Sequence, residues 1–467
     1  FVDDYLIDRL DGASLRLHEP RDEGISLQLD KPWEAPYPAY FSIVKDGDLY
    51  RMWYRGRYEA SGGGGPSASV CYAESNDGIE WTRPNLGLCE VRGVKENNVF
   101  IHPLEYGTFS AFLDTRPGVP SSERLKALWR GPASFSLVSE DGIRWRNVGK
   151  PPSLRRPGPA WDTQNVAFWS ESERRYVAYV RTWKPMAATQ EESRKEFLRR
   201  YGSEGHGWRW TGRTTSTDFV NWTDVVDMDF GDTPNEQLYT NGTHPYFRAP
   251  HIYIALAKRF MPGRRALPKE EAEVLAAEPG HALDTSDSVL MTSRGYNRYD
   301  RTFMEAFIRP GPSPRDWVSR DNTPAVGVVP GGPRQMFLYR LSHYGQQTCH
   351  LTRYSLRLDG FVSVNAPYSG GEILTRPFTF TGSELEVNYG TSAAGGLRVE
   401  VQDANGRQIS GYGLEDCPEF FGDEISRVVT WENGTNTSQL QGRPIRLRIV
   451  LKDADLYSLR FRDPASD

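Results

Sequence analysis

The sequence predicts an all-β protein: a five-bladed β-propeller over residues 1–367, followed by a β-sandwich over residues 368–467. Three observations carry this. A hairpin motif recurs through the first 365 residues, each copy follows a β-strand pattern, and after about Tyr368 the repeat is replaced by strands of period two. The motif is Ser75-Asn76-Asp77-Gly78-Ile79-Glu80-Trp81, and it returns as Ser139-Glu140-Asp141-Gly142-Ile143-Arg144-Trp145 and Ser216-Thr217-Asp218-Phe219-Val220-Asn221-Trp222. Weaker copies stand at Ser293-Arg294-Gly295 to Tyr299 and at Leu358-Asp359-Gly360-Phe361. Asp-Gly supplies the positive-φ turn between two strands, and the trailing aromatic packs on the core.

Upstream of each copy stand an apolar strand, a polar turn and an aromatic-rich strand ending in Arg. Blade one has Tyr40 to Val44, Lys45 to Asp48 and Leu49 to Arg55; blade three has Val166 to Trp169 and Tyr176 to Arg181. Blade five has Ala325 to Val329 and Met336 to Arg340. Four antiparallel strands per unit and five units make a propeller. Blade three has room for a charged helix from Thr189 to Arg200, and blade four for one from Pro268 to Ala277, where Pro starts the helix and acids fill its first turn. Phe1 to Ile7 is the candidate strand for closing the ring. Beyond the repeat, Glu384 to Tyr389, Leu397 to Gln402, Ile445 to Leu451 and Tyr457 to Phe461 alternate as sandwich strands.

Composition excludes several classes. Trp 13, Tyr 23 and Phe 21 are enough for a large core, and no apolar run approaches a membrane span. The net charge of −5 gives no general field for nucleic acid. Cys71, Cys89, Cys349 and Cys417 have neither zinc-site nor disulfide-framework spacing. The chain begins at Phe1, so the N-terminus does not reveal the compartment; a secreted or periplasmic one is favoured.

In a propeller the innermost strands start at one face of the channel. The ends of the second strands and the loops to the third strands reach the same face, where ligands bind. Acids near those starts are Glu34, Asp114, Asp162, Glu236 and Asp321. Converging carboxylates suit glycoside hydrolysis, which needs a raised-pKa acid and an ionised base or nucleophile. Asp77, Asp141 and Asp218 repeat with the motif and are read as turn chemistry. Arg55, Arg130, Arg181, Arg259 and Arg340 end the second strands, one per blade. As a ring they would suit an anionic substrate; alternatively they pair with the acids. Trp161 and Tyr239 offer stacking faces, and Asn165, Asn241 and His244 offer polar contacts. Trp53 is read as core. No cofactor is expected, and a divalent cation in the channel would draw on His244 or His343.

With these residues in place, the chain resembles the five-bladed propeller glycosidases of glycoside hydrolase families 32, 43 and 68, in a branch where a family-32-like propeller carries a C-terminal β-sandwich. The resemblance implies carboxylates on successive blades: Asp114 (alternatively Glu34 or Asp4) as base or nucleophile, Asp162 as the group that orients or tunes, and Glu236 as general acid. Val2-Asp3-Asp4-Tyr5 stands where family 32 has Asn-Asp-Pro-Asn-Gly, so fructan specificity is not carried over. The function implied is an exo-acting glycosidase on a poly- or oligosaccharide, with an anionic substrate as one option. Its rivals are a non-catalytic carbohydrate-binding propeller and a phosphate-dependent phosphorylase.

Overall fold

The structure, a computed structural model, describes residues 1–59, 67–104, 107–130, 134–149, 163–202, 205–278, 281–318 and 320–464. It divides into two compact units: residues 20–355, and residues 1–19 together with 356–467.

The first unit is the five-bladed propeller. Blade one is Ala39–Asp46, Leu49–Arg57, Ala68–Ser75 and Val99–Ile101; blade two is Thr108–Leu113, Leu125–Arg130, Ser134–Ser139 and Arg146–Val148. Blade three is Val166–Ser170, Arg175–Lys184, Trp208–Ser216 and Val226–Asp227. Blade four pairs Leu238–Thr240 and Thr243–Tyr246 with Ala249–Pro262, which in turn pairs with Asp284–Ser293. Blade five runs from Thr323–Pro324 and Val329–Pro330 through Gln335–Ser342 and His350–Arg357.

The three strong hairpin motifs each lock their blade to the one before. The Asp77 carboxylate accepts the N–H groups of Ile79 (2.7 Å) and Glu80 (3.0 Å), and the Ser75 hydroxyl accepts the Gly78 N–H at 2.9 Å. Asp141 and Asp218 repeat these bonds. Burial alone would raise these carboxyls; the backbone donors outweigh it and hold all three below the usual range. An aromatic side chain of the preceding blade seats each turn. The Trp53 indole, fully buried, donates to Gly142 O at 2.6 Å. The Tyr339 hydroxyl of blade five donates to Gly78 O, and Trp81 packs edge-on against Tyr339 at 5.9 Å. Phe112 of blade two meets Phe219 at 5.6 Å.

The helices fall where the sequence places them. Gln190–Tyr201 starts on a Thr189–Glu192 capping box and ends at Gly202 with φ 66°. Lys269–Leu275 follows Pro268. Both lie between the second and third strands of their blades.

The ring closes differently from the expectation. The outer strand of blade five is Arg21–Gln28, paired antiparallel with His350–Arg357 through His350↔Gln28 and Tyr354↔Asp22. Phe1 to Ile7 does not close the ring: Ile7–Asp11 pairs with Gly371–Thr375, and Ile7 joins the core of the second unit. An outer blade strand buries little, and of Arg21–Gln28 only Leu27 is buried, so it lacks the apolar run that marks an inner strand. The propeller boundary expected at residue 367 therefore falls at 355, and residues 1–19 leave it for the second unit.

The second unit is one seven-stranded antiparallel sheet. The four predicted strands fuse into two long ones, Glu384–Asp403 and Ile445–Arg462, whose register shifts between Thr391 and Gly396. Leu385, Val387 and Tyr389 before the shift and Leu397, Val399 and Val401 after it share one core, so the sheet folds over on itself. Gly395 permits the fold, since a Cβ there would lie 2.4 Å from Asp453 O.

The blade lock is testable at one atom. Gly142 has φ +79°, and a Cβ on it would sit 2.7 Å from the Trp53 ring; Gly118 has φ +74° and open space around it. Gly118→Ala should lose about 1–2 kcal/mol from left-handed strain alone, and Gly142→Ala should lose about 1–3 kcal/mol more from overpacking. Urea unfolding of the two variants checks this; equal losses would remove Trp53 from the lock.

Candidate active site

The entry face of the propeller collects side chains from the ends of second strands and the starts of inner and third strands. Blade one contributes Arg55 and Arg57, which two-residue strand spacing places on the same face. Arg181 comes from the end of Arg175–Lys184, Arg209 from the start of Trp208–Ser216, Lys258 from Ala249–Pro262, and Arg320 from the approach to Thr323–Pro324. Asp284 is the first residue of its strand, opposite Pro262.

Tyrosines space these cations. The Arg55 guanidinium lies 4.6 Å from the Tyr40 ring centroid. Tyr40, buried, has φ 63°, a strained value for a bulky residue. The Tyr239 ring has Arg181 at 5.1 Å, Lys258 at 5.2 Å and Arg209 at 5.4 Å. Arg320 interacts electrostatically with Tyr239, Asp284, Tyr344 and Tyr40, and Tyr344 with Arg55 and Arg57. Tyr37, His281 and Tyr344 form an aromatic wall with centroids 5.6–5.8 Å apart. Burial, and then Arg55, push the Arg57 guanidinium below its ordinary range.

Two buried carboxylates stand among these groups. Asp321 accepts the backbone N–H groups of Asn322 (2.7 Å), His343 (2.8 Å) and Tyr344 (3.2 Å). It holds Asn322 at φ 58° and His343 at φ 60°, and so positions Tyr344. Asp284 has no such clamp: it is 5% exposed, and its Oδ1 has no hydrogen-bond partner. Burial raises its carboxyl, while Arg320, Lys258 and Arg209 pull it the other way. Lys258 donates to Thr323 Oγ1 at 2.9 Å and to Arg320 O, and burial lowers its ammonium.

The residues singled out from sequence divide. Arg55 and Arg181 stand in this cluster, and Arg340 reaches its edge, donating to Arg309 O at 2.7 Å and facing Asp321. Glu236 is held by Arg259 at 3.2 Å and by Arg301, and Arg259 is further paired with Asp287 at 2.6 Å. Glu34 is buried under a bidentate Arg83 (2.7 and 3.0 Å) and the Tyr54 hydroxyl (2.6 Å). Asp114, expected at a strand start, instead follows the end of Thr108–Leu113 and binds Tyr176 OH (2.7 Å) and Lys126 (3.1 Å), away from the entry face. The strand begins six residues earlier than the sequence reading placed it. Asn165 accepts the Arg181 N–H and donates to Thr163 O, while Asn241 accepts the Thr243 N–H; both serve their own turns. Trp161, Asp162 and the Arg130 side chain lie outside the described residues. Sequence reasoning missed Arg57, Arg209, Lys258, Arg320 and Asp284. The two-residue step from Arg55 and the starts of the third strands were the available signals.

His244 has both ring nitrogens engaged. Nε2 accepts the Val328 N–H at 2.9 Å, so Nδ1 carries the proton and donates to Gly242 O at 2.9 Å. Neither nitrogen is available to a metal. His343 contacts Thr348 Oγ1 and Asp316 Oδ1. Among the described residues no group of three or more His, Cys, Asp or Glu could hold a metal ion.

No family model matches the chain. Two uncharacterised proteins of Mycobacterium tuberculosis strains are 26% identical over 148 residues, 31% of this chain. The chain spans 44% of the length of these curated relatives. Among solved structures it is similar to a glycoside hydrolase (TM-score 0.45, 10% identity, 73% of this chain and 92% of that one). It is also similar to a family 32 β-fructofuranosidase of Bombyx mori (0.41, 11%, 94% and 95%) and a family 43 arabinoxylan arabinofuranohydrolase of Bacillus subtilis (0.37, 10%, 93% and 97%).

Burial lowers both His244 and His281 to about 4. An unfolded histidine titrates near 6.5, so the unfolded chain binds protons first as pH falls. Both histidines therefore favour the folded state above about pH 6.5, and this contribution is lost progressively toward pH 4. Ring nitrogen NMR should show both neutral at pH 5.5, and His244→Gln should flatten the fall in unfolding free energy over that window.

Proposed function

We propose that the propeller is a carbohydrate-processing enzyme of the glycosidase type, with its active site at the entry face and Asp284 as proton donor to the leaving oxygen. The observation that carries this is Asp284 itself, a buried carboxyl with an unpartnered oxygen and a raised pKa on the face where the blades converge. Tyr40, Tyr239 and Tyr344 supply the apolar faces and hydroxyls that a sugar ring uses. Hydrolysis needs a second carboxylate as base or nucleophile, and Asp162, the carboxylate marked by its Trp161-Asp162-Thr163 setting, is assigned that part. Glu236, Glu34 and Asp114 are left out of the chemistry because each is held by cations.

That same ion pairing favours a second reading, a binding propeller without catalysis. Substitution separates the two. Asp284→Asn should lower turnover on the cognate glycan by about 10²–10⁴-fold, the usual worth of a general acid, with binding retained. Glu236→Gln should keep turnover within a few-fold and cost about 1–3 kcal/mol of stability, because it leaves Arg259 and Arg301 short of a charge. Full activity in Asp284→Asn, with loss in Glu236→Gln, would return the acid to Glu236. No turnover in the unaltered protein on any glycan it binds would establish the binding propeller.

A further inference from the structure

The buried and half-buried arginines of this propeller differ in their partners. Four are matched to carboxylates: Arg83 to Glu34, Arg213 to Glu173, Arg259 to Glu236 and Asp287, and Arg301 to Glu236. At the entry face Arg55 and Arg320 are not. Arg55 is 6% exposed and lies against the face of Tyr40. Its Nε and that of Arg320 are buried with no hydrogen-bond partner, and among the described residues neither guanidinium forms an ion pair.

A buried charge without a partner is costly, and so is an unpartnered buried donor. The cost falls here on two groups from different blades, one and five, that share Tyr344 as an electrostatic neighbour. Arg320 interacts electrostatically with Asp284, whose Oδ1 is itself unpartnered. Both guanidinium groups therefore stand beside Tyr344 with Nε donors unsatisfied, and Arg320 interacts with Asp284 without a hydrogen bond to its Oδ1. A guanidinium is planar and binds a carboxylate or sulfate through paired N–H donors. A neutral sugar hydroxyl would leave its charge uncompensated.

We propose that Arg55 and Arg320 bind an oxyanion substituent of the sugar, a carboxylate or a sulfate, so that the glycan taken by this site is acidic. This rests on the reading of the entry face as a carbohydrate site. It makes the two arginines specificity determinants, with Tyr40 and Tyr344 as the faces that hold them in place. The strained Tyr40 backbone and the Asp321 clamp on Tyr344 are the means of holding.

The test titrates the whole chain at constant ionic strength with sodium glucuronate, sodium sulfate, sodium phosphate or glucose and follows thermal unfolding. Glucuronate, sulfate or both should raise Tm saturably, and glucose should not. The double variant Arg55→Gln/Arg320→Gln should weaken the anion effect at least tenfold. Its ligand-free Tm should be unchanged or higher, since an unpaired buried charge is removed. A lower ligand-free Tm in this variant and also in the charge-conserving Arg55→Lys would mark the arginines as structural and overturn the proposal. So would equal stabilisation by glucose, or an anion effect that survives in the double variant. Saturable stabilisation by phosphate alone would assign the site to free phosphate and overturn the sugar-substituent claim. Acidic glycans that bind but are never cleaved would sink the glycosidase reading and leave this one standing. Cleavage of neutral glycans alone would do the reverse.

Discussion

The propeller depends on one repeated contact, an aromatic side chain of one blade seated on the Ser-x-Asp-Gly turn of the next. Trp53 against Gly142 and Tyr339 against Gly78 each join a hydrogen bond to a packed ring. At Gly78 and Gly142 the ring occupies the space a Cβ would take, while the third copy places Phe219 at that position with φ 68°. Other bonds cross the axis. Gln164 of blade three donates to Phe41 O and Ser42 of blade one, and Phe41 O also accepts the Val326 N–H of blade five. With blades held at both circumference and axis, the strand ends at the entry face are fixed in relation to each other, as a preorganised site requires.

That rigidity allows like charges to be gathered. Arg55, Arg57 and Arg320 would separate in a flexible loop; a strand end holds the first two, the turn before Thr323–Pro324 holds the third, and Tyr344 interacts with all three. Asp321 spends its carboxylate on three backbone N–H groups and so supports Tyr344 from behind. Asp284 is left as the carboxyl whose proton is controlled by its surroundings: burial keeps it on, and the nearby cations work to remove it. One face therefore holds both a raised carboxyl and two guanidinium groups, of Arg55 and Arg320, with no ion pair among the described residues, and the net charge of −5 for the chain conceals it.

Much of the fold was legible. The hairpin motif marked the turns, their spacing marked the blades, and the capping residues at Thr189 and Pro268 marked the insertions. The closing strand was not legible, because Arg21–Gln28 buries so little that its pattern is that of a polar loop. The site was legible only in part. The rule that second-strand ends reach the binding face found Arg55 and Arg181. Arg209 and Asp284 sit at third-strand starts, which also reach that face but carry no repeated sequence mark. Asp114 was misplaced by the length of a short strand, a boundary that alternation does not define.

The sequence by itself determined the number of blades, the turn chemistry and the presence of a second β unit, because these are local patterns repeated often enough to be read. Only the tertiary structure decided which charges are paired. Glu236, with few charged neighbours in the chain, meets Arg259 and Arg301 in space, while Arg55 meets no carboxylate among the described residues. Whether a carboxyl is a proton donor or half of an ion pair depends on neighbours far from it in the chain. Residues 23 and 65 positions from Glu236 in the chain set its partners, and no local pattern contains that information.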